Sequence, residues 1–469
     1  MLFNSHIFML LFLPLLLAGW YFQLAQGYLI GMSLWFYAYA NLQYLWLLLF
    51  SCLIGWLLSC VPEKISSEKG KKVLTGVGCV FHLGLLGYFK YSNFFLENLN
   101  TVFHTDFPML QILLPVGISF YTFQQLAYLI DRCRGDAPRD SFFDYLTFMV
   151  YFPQLLQGPI LLRSEFMGQL KEPERRRFHA ERFSEGIQFF VFGLAKKVLL
   201  ADTLAKAVNY GYSNVSMLDS ISALLLTELY FDFSGYCDMA VGLGKMIGLE
   251  VAENFDAPFH SASVKEFWRR WHMTLGRFFT RYVYIPLGGN RRGKMRTLCN
   301  VMIVMLLSGL WHGAAWTFVL WGFLHGVGMI WDNLEHPHLP KKWMRQAATF
   351  AYVCMTFVFF RAESIAQGID VLKSIVSLKW NGFVFQMASA LDMTECYIIT
   401  KALSMKLPGL LSWFWLGIFV VLIAICFRVL SGEKVSGVVA LQRQKGYGRL
   451  YPVLLAVLFT WSMISMTGR

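Results

Sequence analysis

The sequence predicts an all-α polytopic membrane protein, and three observations predict it. Hydrophobic residues make up 56% of the 469 residues, whereas charged residues make up 15%, against roughly 25% in an average soluble domain. Apolar runs approaching the length needed to cross a bilayer, about 20 residues, recur from one end of the chain to the other. The positive charge behind the net +12 is gathered into short segments between those runs, as the positive-inside rule expects of cytoplasmic loops. A soluble chain of this length would need a polar surface that this composition does not supply. The same distribution argues against nucleic acid as the partner of the basic residues and makes membrane lipid their natural surroundings.

Taken in order, candidate spans fall at 7–25, 28–41, 42–61, 73–91, 110–130, 186–205, 218–241, 297–313, 315–332, 346–361, 410–429 and 449–467. Because 28–41 and 42–61 run together, the expectation is about 11 spans, within two either way. The start, Met1 to His6, has no basic stretch, and no small-residue cleavage site follows the apolar run. The first run therefore reads as a retained span rather than a signal peptide. Phe142–Leu162 is apolar but interrupted by Pro153 and Gly158-Pro159. Proline removes a backbone donor and disfavours helix in the residue before it, so this stretch is expected to be re-entrant or interfacial. No internal repeat or linker divides the chain, and one membrane domain over 1–469 is expected, with its site-bearing core at about 110–332.

The loops set orientation. Lys64, Lys69, Lys71 and Lys72 mark 62–72; Arg163, Lys171, Arg175, Arg176, Arg177 and Arg182 mark 163–182; nine basic residues and the single acid Glu266 mark 265–296. These three read as cytoplasmic. The stretch 362–409 carries four lysines and four acids, shows no positive bias, and reads as external. Threading the spans through these loops puts the N-terminus outside.

Ionisable side chains within apolar runs are costly, and each is a functional-site hypothesis. Histidine is also the side chain best suited to proton transfer near neutral pH. Two Trp-His pairs, Trp271-His272 and Trp311-His312, therefore lead the candidates. At helical spacing, Trp268, His272, Leu275, Phe279 and Tyr282 share one face of a segment whose other face carries Arg270, Arg277 and Arg281. This predicts one amphipathic helix in the interface plane. Its arginines would grip either lipid headgroups or an anionic, phosphopantetheine-bearing donor, and His272 would point into the protein. Trp268, Arg269, Arg270, Trp271 and Arg277 are the expected donor-binding residues. The helix should stop at Pro286-Leu287-Gly288-Gly289. The paired glycines are not followed by Gly-Lys-Ser/Thr, so they do not form an ATP-binding loop.

His312 lies in Ser308-Gly309-Leu310-Trp311-His312-Gly313-Ala314-Ala315-Trp316. Small neighbours allow a backbone or substrate to approach, and Trp311 and Trp316 would supply a dry wall. A neutral imidazole there could accept a proton from a hydroxyl; the alternative is a polar contact between packed helices. His325 reads as a packing or hydrogen-bonding histidine, whereas His336 and His338 read as loop residues. Tyr230, Asp232, Ser234, Tyr236 and Asp238 fall in one apolar run and must be hydrogen-bonded or face a cavity. They form either a structural polar network or part of the site lining. The nine cysteines are scattered without Cys-x-x-Cys, and no metal-ligand spacing is present. No tightly bound cofactor is expected.

Several stretches resemble the membrane-bound O-acyltransferase family. They are Leu2-Phe3-Asn4-Ser5, Tyr88-Phe89-Lys90-Tyr91, Pro115 to Phe123, Phe152-Pro153-Gln154 with Gly158-Pro159-Ile160, Tyr230 to Tyr236, Glu253-Asn254-Phe255, Phe267 to His272, Tyr284 to Arg291 and Gly309 to Ala314. Each is weak alone; their shared order and spacing over nearly the whole chain carry the likeness. It is closest to the bacterial branch that O-acetylates alginate, with the teichoic-acid D-alanylation branch more distant. The resemblance implies a helical membrane fold around a tunnel or funnel. It implies His312 as the catalytic histidine and His272 as the second characteristic one. It also implies a multi-pass protein of the bacterial cytoplasmic membrane, with an acyl group entering from the cytoplasm and leaving outside. There a separate SGNH-type acyltransferase, with a serine hydrolase-like site, commonly completes transfer to polysaccharide. Gln157 and Thr280-Arg281 depart from the family pattern, which has a small residue before Gly158-Pro159 and Arg-Asp before the tyrosine.

The expected activity is thus O-acetylation of a surface polysaccharide, with acetyl-CoA as the donor substrate. Alginate, cellulose and peptidoglycan are all compatible acceptors. Transfer of D-alanine from an acyl carrier protein is the alternative within the same chemistry. A transporter or export channel is the alternative of another class, against which the charged residues cluster around one broken region instead of recurring along several spans.

Overall fold

The apolar runs fold as helices, and no strand occurs among the described residues, which in this computed structural model are 1–22, 26–220, 229–334, 341–430, 434–446, 448 and 450–466. Four helical stretches among them are long and apolar enough to cross a membrane: Gln26–Cys60, Glu68–Phe103, Lys294–His312 and Pro408–Cys426. Phe8–Tyr21 and Leu450–Ser465 are apolar but shorter. Gln26–Cys60 is divided as expected. Asn41 leaves helical geometry at φ −156°, and a tight turn over Leu42–Tyr44 separates Gln26–Asn41 from Leu45–Cys60.

Other expected spans coincide with helices that carry more charge or are more broken. The span at 110–130 is helical only from Ile118, because Pro115 and the left-handed Gly117 (φ +75°) hold the preceding chain out of the helix. A Cβ at Gly117 would stand 2.4 Å from the Leu155 carbonyl oxygen, so this position demands glycine for space as well. The span at 186–205 is interrupted by a π-helical turn at Lys196–Ala201. The expected span at 218–241 lies partly outside the described residues, and its described residues 229–241 open the helix Leu229–Ile247. His336 and His338 also lie outside the described residues. Phe142–Leu162 breaks as its prolines predict, into helices Phe142–Val150 and Phe152–Leu155 followed by non-helical chain. The stretch 362–409 is more ordered than a plain loop. It carries helices Ile365–Val376, Phe383–Ser389 and Tyr397–Lys406.

Two compact units emerge from the contacts. The first comprises Met1–Ile187, Ala240–Glu253 and Thr274–Pro286. Its core is aromatic: Phe3, Phe12 and Phe36 surround Phe152 at ring separations of 6.1, 5.3 and 5.3 Å. Its buried carboxylates are paired. Asp140, fully buried, accepts from Arg163 Nε at 2.6 Å and from Tyr128 Oη at 3.1 Å. Asp131 accepts from Arg281 Nη2 and Tyr282 Oη, each at 2.9 Å. The added cation at Arg281 is therefore held by a carboxylate of its own unit.

The second unit comprises Gln188–Met239, Asn254–Met273 and Leu287–Arg469. At its centre the helices Lys294–His312 and Trp316–Asn333 form an antiparallel hairpin. Gly309 and Gly322 face each other across it. A Cβ on either would lie 3.3 Å from the other's Cα and 2.3–2.4 Å from a carbonyl oxygen of the facing helix. Such close approach is how small residues join helices where lipid removes the hydrophobic drive to associate.

Candidate active site

His312 is the last residue of its helix, and the extended Gly313 follows it (φ −159°, ψ 152°). A side chain at Gly313 would meet the Phe318 ring at 2.0 Å, so the ring packs against the turn where glycine leaves room for it. The half-buried His312 ring lies 5.2 Å from Trp321 and 5.1 Å from Phe360 between centroids. Trp311 is buried beside it, at 4.9 Å. Trp316, the second wall residue expected from the sequence, is 56% exposed.

His272 reaches the same place by a different route. The helix Val264–Arg270 starts where Ser263 Oγ accepts from Glu266 N at 3.1 Å. It ends at Trp271, which is extended, and His272 adopts the left-handed conformation at φ +45°. A second helix, Met273–Phe279, then begins. The expected continuous amphipathic helix over 265–282 is thus corrected to two helices with a kink between them. The cause is non-local: Asp256 N donates to Arg270 O at 2.9 Å and Met273 N to Asn254 O at 3.0 Å. The 254–256 segment takes over main-chain bonds that a helix would have made internally. Left-handed geometry at a non-glycine residue costs of order 1–3 kcal/mol and collects at functional sites.

The kink delivers His272, fully buried, to a ring separation of 6.3 Å from His312 and 5.9 Å from Trp311. Phe233 packs edge-on to it at 4.7 Å. Its Nδ1 lies 3.2 Å from Asn254 Oδ1, and Asn254 Nδ2 lies 3.4 Å from Cys237 Sγ. His272 sits between helices rather than within a spanning one. Burial there lowers its basicity to about 3, which keeps the imidazole neutral.

Most of the expected donor-binding residues have partners within the protein. The Trp268 indole donates to His325 Nδ1 at 3.2 Å. Trp271 is buried among Phe255, Phe267 and Phe357 at 5.0, 5.3 and 5.2 Å. Arg270 pairs with Glu266 at 3.0 Å. Arg277, in the first unit, pairs with Glu165 and donates to the Ile160 carbonyl at 3.1 Å. Arg269 alone of the expected group is exposed and has no ion pair among the described residues. An interface helix with a bare arginine face is therefore not what forms, because Arg270, Arg277 and Arg281 are each paired with a carboxylate of the helix itself or of their own unit.

The segment carrying Tyr230, Asp232, Ser234, Tyr236 and Asp238 is a polar network. Lys196 Nζ pairs with Asp238 at 2.7 Å; Lys197 pairs with Asp232 and, at 2.6 Å, with Asp202. Ser234 and Tyr236 are buried, and Tyr230 packs 6.0 Å from Trp271. Both carboxylates balance lysines, as buried charges must. The side chain that orients His272 is Asn254. Sequence reasoning gave it no separate role, since its partner lies 18 residues away across a turn that no local pattern announces. His325 is fully engaged, with Thr356 Oγ1 2.9 Å from its Nε2. Among the described residues no group of three or more His, Cys, Asp or Glu could hold a metal ion.

What this pair of histidines belongs to is given by comparison with known proteins. The model of the MBOAT, membrane-bound O-acyltransferase family, matches residues 134–367, which include both. The chain is 35% identical over 423 residues to the peptidoglycan O-acetyltransferase of Helicobacter pylori, covering 81% of this chain and 80% of that protein. It is 39% identical over 388 residues to the protein named "Probable alginate O-acetylase AlgI" of Pseudomonas putida, covering 78% of each. A teichoic acid D-alanyltransferase of Streptococcus thermophilus is 28% identical over 250 residues, covering 50% of this chain and 58% of that one. With a helical, multi-pass architecture and these relatives, the chain belongs to the membrane-bound O-acyltransferase family and is an O-acyltransferase.

Proposed function

We propose that this protein passes an acetyl group from acetyl-CoA, bound from the cytoplasm, across the bacterial cytoplasmic membrane for O-acetylation of a cell-surface polysaccharide. An extracytoplasmic SGNH-type acyltransferase completes the transfer. The observation that carries this reading is the meeting of His272 and His312, with rings 6.3 Å apart, in a chain resembling named O-acetyltransferases over most of its length.

In this reading His312 takes the proton of an acceptor hydroxyl as the oxygen attacks the thioester carbonyl carbon. The new C–O bond forms, the C–S bond breaks, and the departing thiolate recovers the proton from the imidazolium. Positioned acid–base groups contribute about 10²–10⁴-fold. His272 positions the thioester or steadies the oxyanion, for which one well-placed donor is worth about 3–4 kcal/mol. Arg269, exposed beside Trp268, is the cation best placed to meet the donor's phosphates.

The test is His312→Ala in protein reconstituted into vesicles, with labelled acetyl-CoA, a polysaccharide acceptor and the partner acyltransferase. Acetyl transfer should fall at least about 100-fold, with expression and insertion intact. Wild-type-like acetylation by this variant refutes the assignment. Supplying a D-alanyl carrier protein in place of acetyl-CoA separates this reading from D-alanylation, and flux of polymer without acyl transfer would replace both by transport.

A further inference from the structure

We infer that Asn254 is a positioning residue that holds His272 as its Nδ1–H tautomer, so that His272 meets its ligand through an unprotonated Nε2, as a hydrogen-bond acceptor. The inference rests on the proposed acyl transfer for its functional consequence, but its structural part stands alone.

Cys237, Asn254 and His272 form a chain of polar contacts. Asn254 Oδ1 faces His272 Nδ1 at 3.2 Å, while Asn254 Nδ2 faces Cys237 Sγ at 3.4 Å. An amide oxygen only accepts, so Nδ1 must carry the proton, and in a neutral imidazole Nε2 then carries the lone pair. Turning the amide over would reverse both bonds, with the thiol donating and Nε2 becoming N–H. Two features oppose that reversal. A thiol is a weak donor, so the exchange gives up an amide N–H donor for a poorer one. Moreover, Nε2 is buried and has no hydrogen-bond partner among the described residues. A buried orphan N–H is rarer in proteins than an under-satisfied acceptor. The main chain locks the arrangement: Met273 N donates to Asn254 O at 3.0 Å, which ties Asn254 to the residue after His272, and His272 itself is held left-handed.

This decides between the two roles open to His272. A bare lone pair cannot donate to an oxyanion and would repel it. It can hold an N–H or O–H group of a reactant beside His312. A pantetheine arm carries amide N–H groups, and the acceptor carries a hydroxyl; the two sources predict different kinetics. Loss of the bond raises the KM for the thioester in the first case and the KM for the acceptor in the second. Oxyanion stabilisation would instead depress kcat with both KM values unchanged.

The experiment uses the full-length protein in lipid, labelled with nitrogen-15 histidine, with the His272 signal identified by its loss in His272→Gln. The expected spectrum shows a pyrrole-type Nδ1 and a pyridine-type Nε2; the opposite pattern overturns the inference. Asn254→Leu removes the acceptor and should shift the tautomer balance, with a rise of about tenfold in one KM, the span of one hydrogen bond. Asn254→Asp, which can only accept, should restore the Nδ1–H signature and most of the activity. An unchanged tautomer in Asn254→Leu, or loss of activity in kcat alone, overturns it as well. The spectra need no substrate. Failure of the acyl-transfer reading, seen as transfer by His312→Ala, is therefore distinguishable from failure of this one.

Discussion

Three histidines, His272, His312 and His325, lie in one aromatic region of the second unit, and hydrogen bonding sets His325 apart from His272. His325 is satisfied at both nitrogens. The Trp268 indole donates to Nδ1, so Nε2 carries the proton and donates to Thr356 Oγ1, whose own hydroxyl donates to Val353 O at 2.7 Å. Every donor in that chain has an acceptor, and the role follows: this histidine ties the helices Val264–Arg270, Trp316–Asn333 and Lys342–Arg361 together. Thr356→Val keeps the volume but removes the acceptor, leaving a buried N–H unmatched at a cost of about 1–3 kcal/mol. A lower thermal midpoint of the purified variant, with kcat of the folded fraction preserved, is the expected result. An unchanged midpoint would show that the chain contributes nothing. His325 was legible as a bonded histidine because it sits inside a spanning run beside Gly326. Asn254 was not legible, because nothing in Glu253-Asn254-Phe255 reveals what it faces.

At the scale of elements, the hairpin ending in His312 and the kink carrying His272 were read from the sequence with opposite success. Two apolar runs flanking Gly313-Ala314-Ala315 leave little freedom, and the helices Lys294–His312 and Trp316–Asn333 follow. The kink contradicts a convincing helical period, since the residues at 268, 272, 275 and 279 that share a face do not know that 254–256 will compete for their main chain. The hairpin has its own testable feature. Gly309 lies one turn before His312 and touches the facing helix through its backbone. Gly309→Val must push the helices apart, because the Phe318 carbonyl stands 2.3 Å from where Cβ would be. His312 would move with its helix end, and misplacement by about 1 Å can cost about 100-fold in rate. Acetyl transfer per inserted molecule should drop by that order. Gly31→Ala, with nothing within 4 Å of the added carbon, should leave transfer unchanged. Equal activity in the two variants would mean that the close crossing does not set the position of His312.

At the scale of the whole molecule, composition and loop charge carried the reading furthest, because bilayer thickness and charge asymmetry act on sequence without regard to tertiary contacts. They recovered the helical, multi-pass class and most helix positions. They missed where helices are interrupted, as at Lys196–Ala201, since such turns answer to packing. The same rule makes a prediction about sidedness. The segment 163–182 holds six basic residues and 265–296 holds nine, whereas 362–409 is balanced at four lysines against four acids. Local ion pairs, such as Arg175–Glu172 and Arg177–Glu174, do not cancel the bias, because orientation follows the count of lysine and arginine rather than net charge. Single cysteines at the exposed positions Glu174→Cys, Arg292→Cys and Lys379→Cys, in a background from which the nine native cysteines have been removed, report the two sides of the membrane. An impermeant thiol reagent added to intact spheroplasts should label Lys379→Cys, and should reach the other two only after the membrane is opened. Labelling of Arg292→Cys from outside would place the chain leading into His312's helix in the wrong compartment, and with it the proposed entry of acetyl-CoA from the cytoplasm.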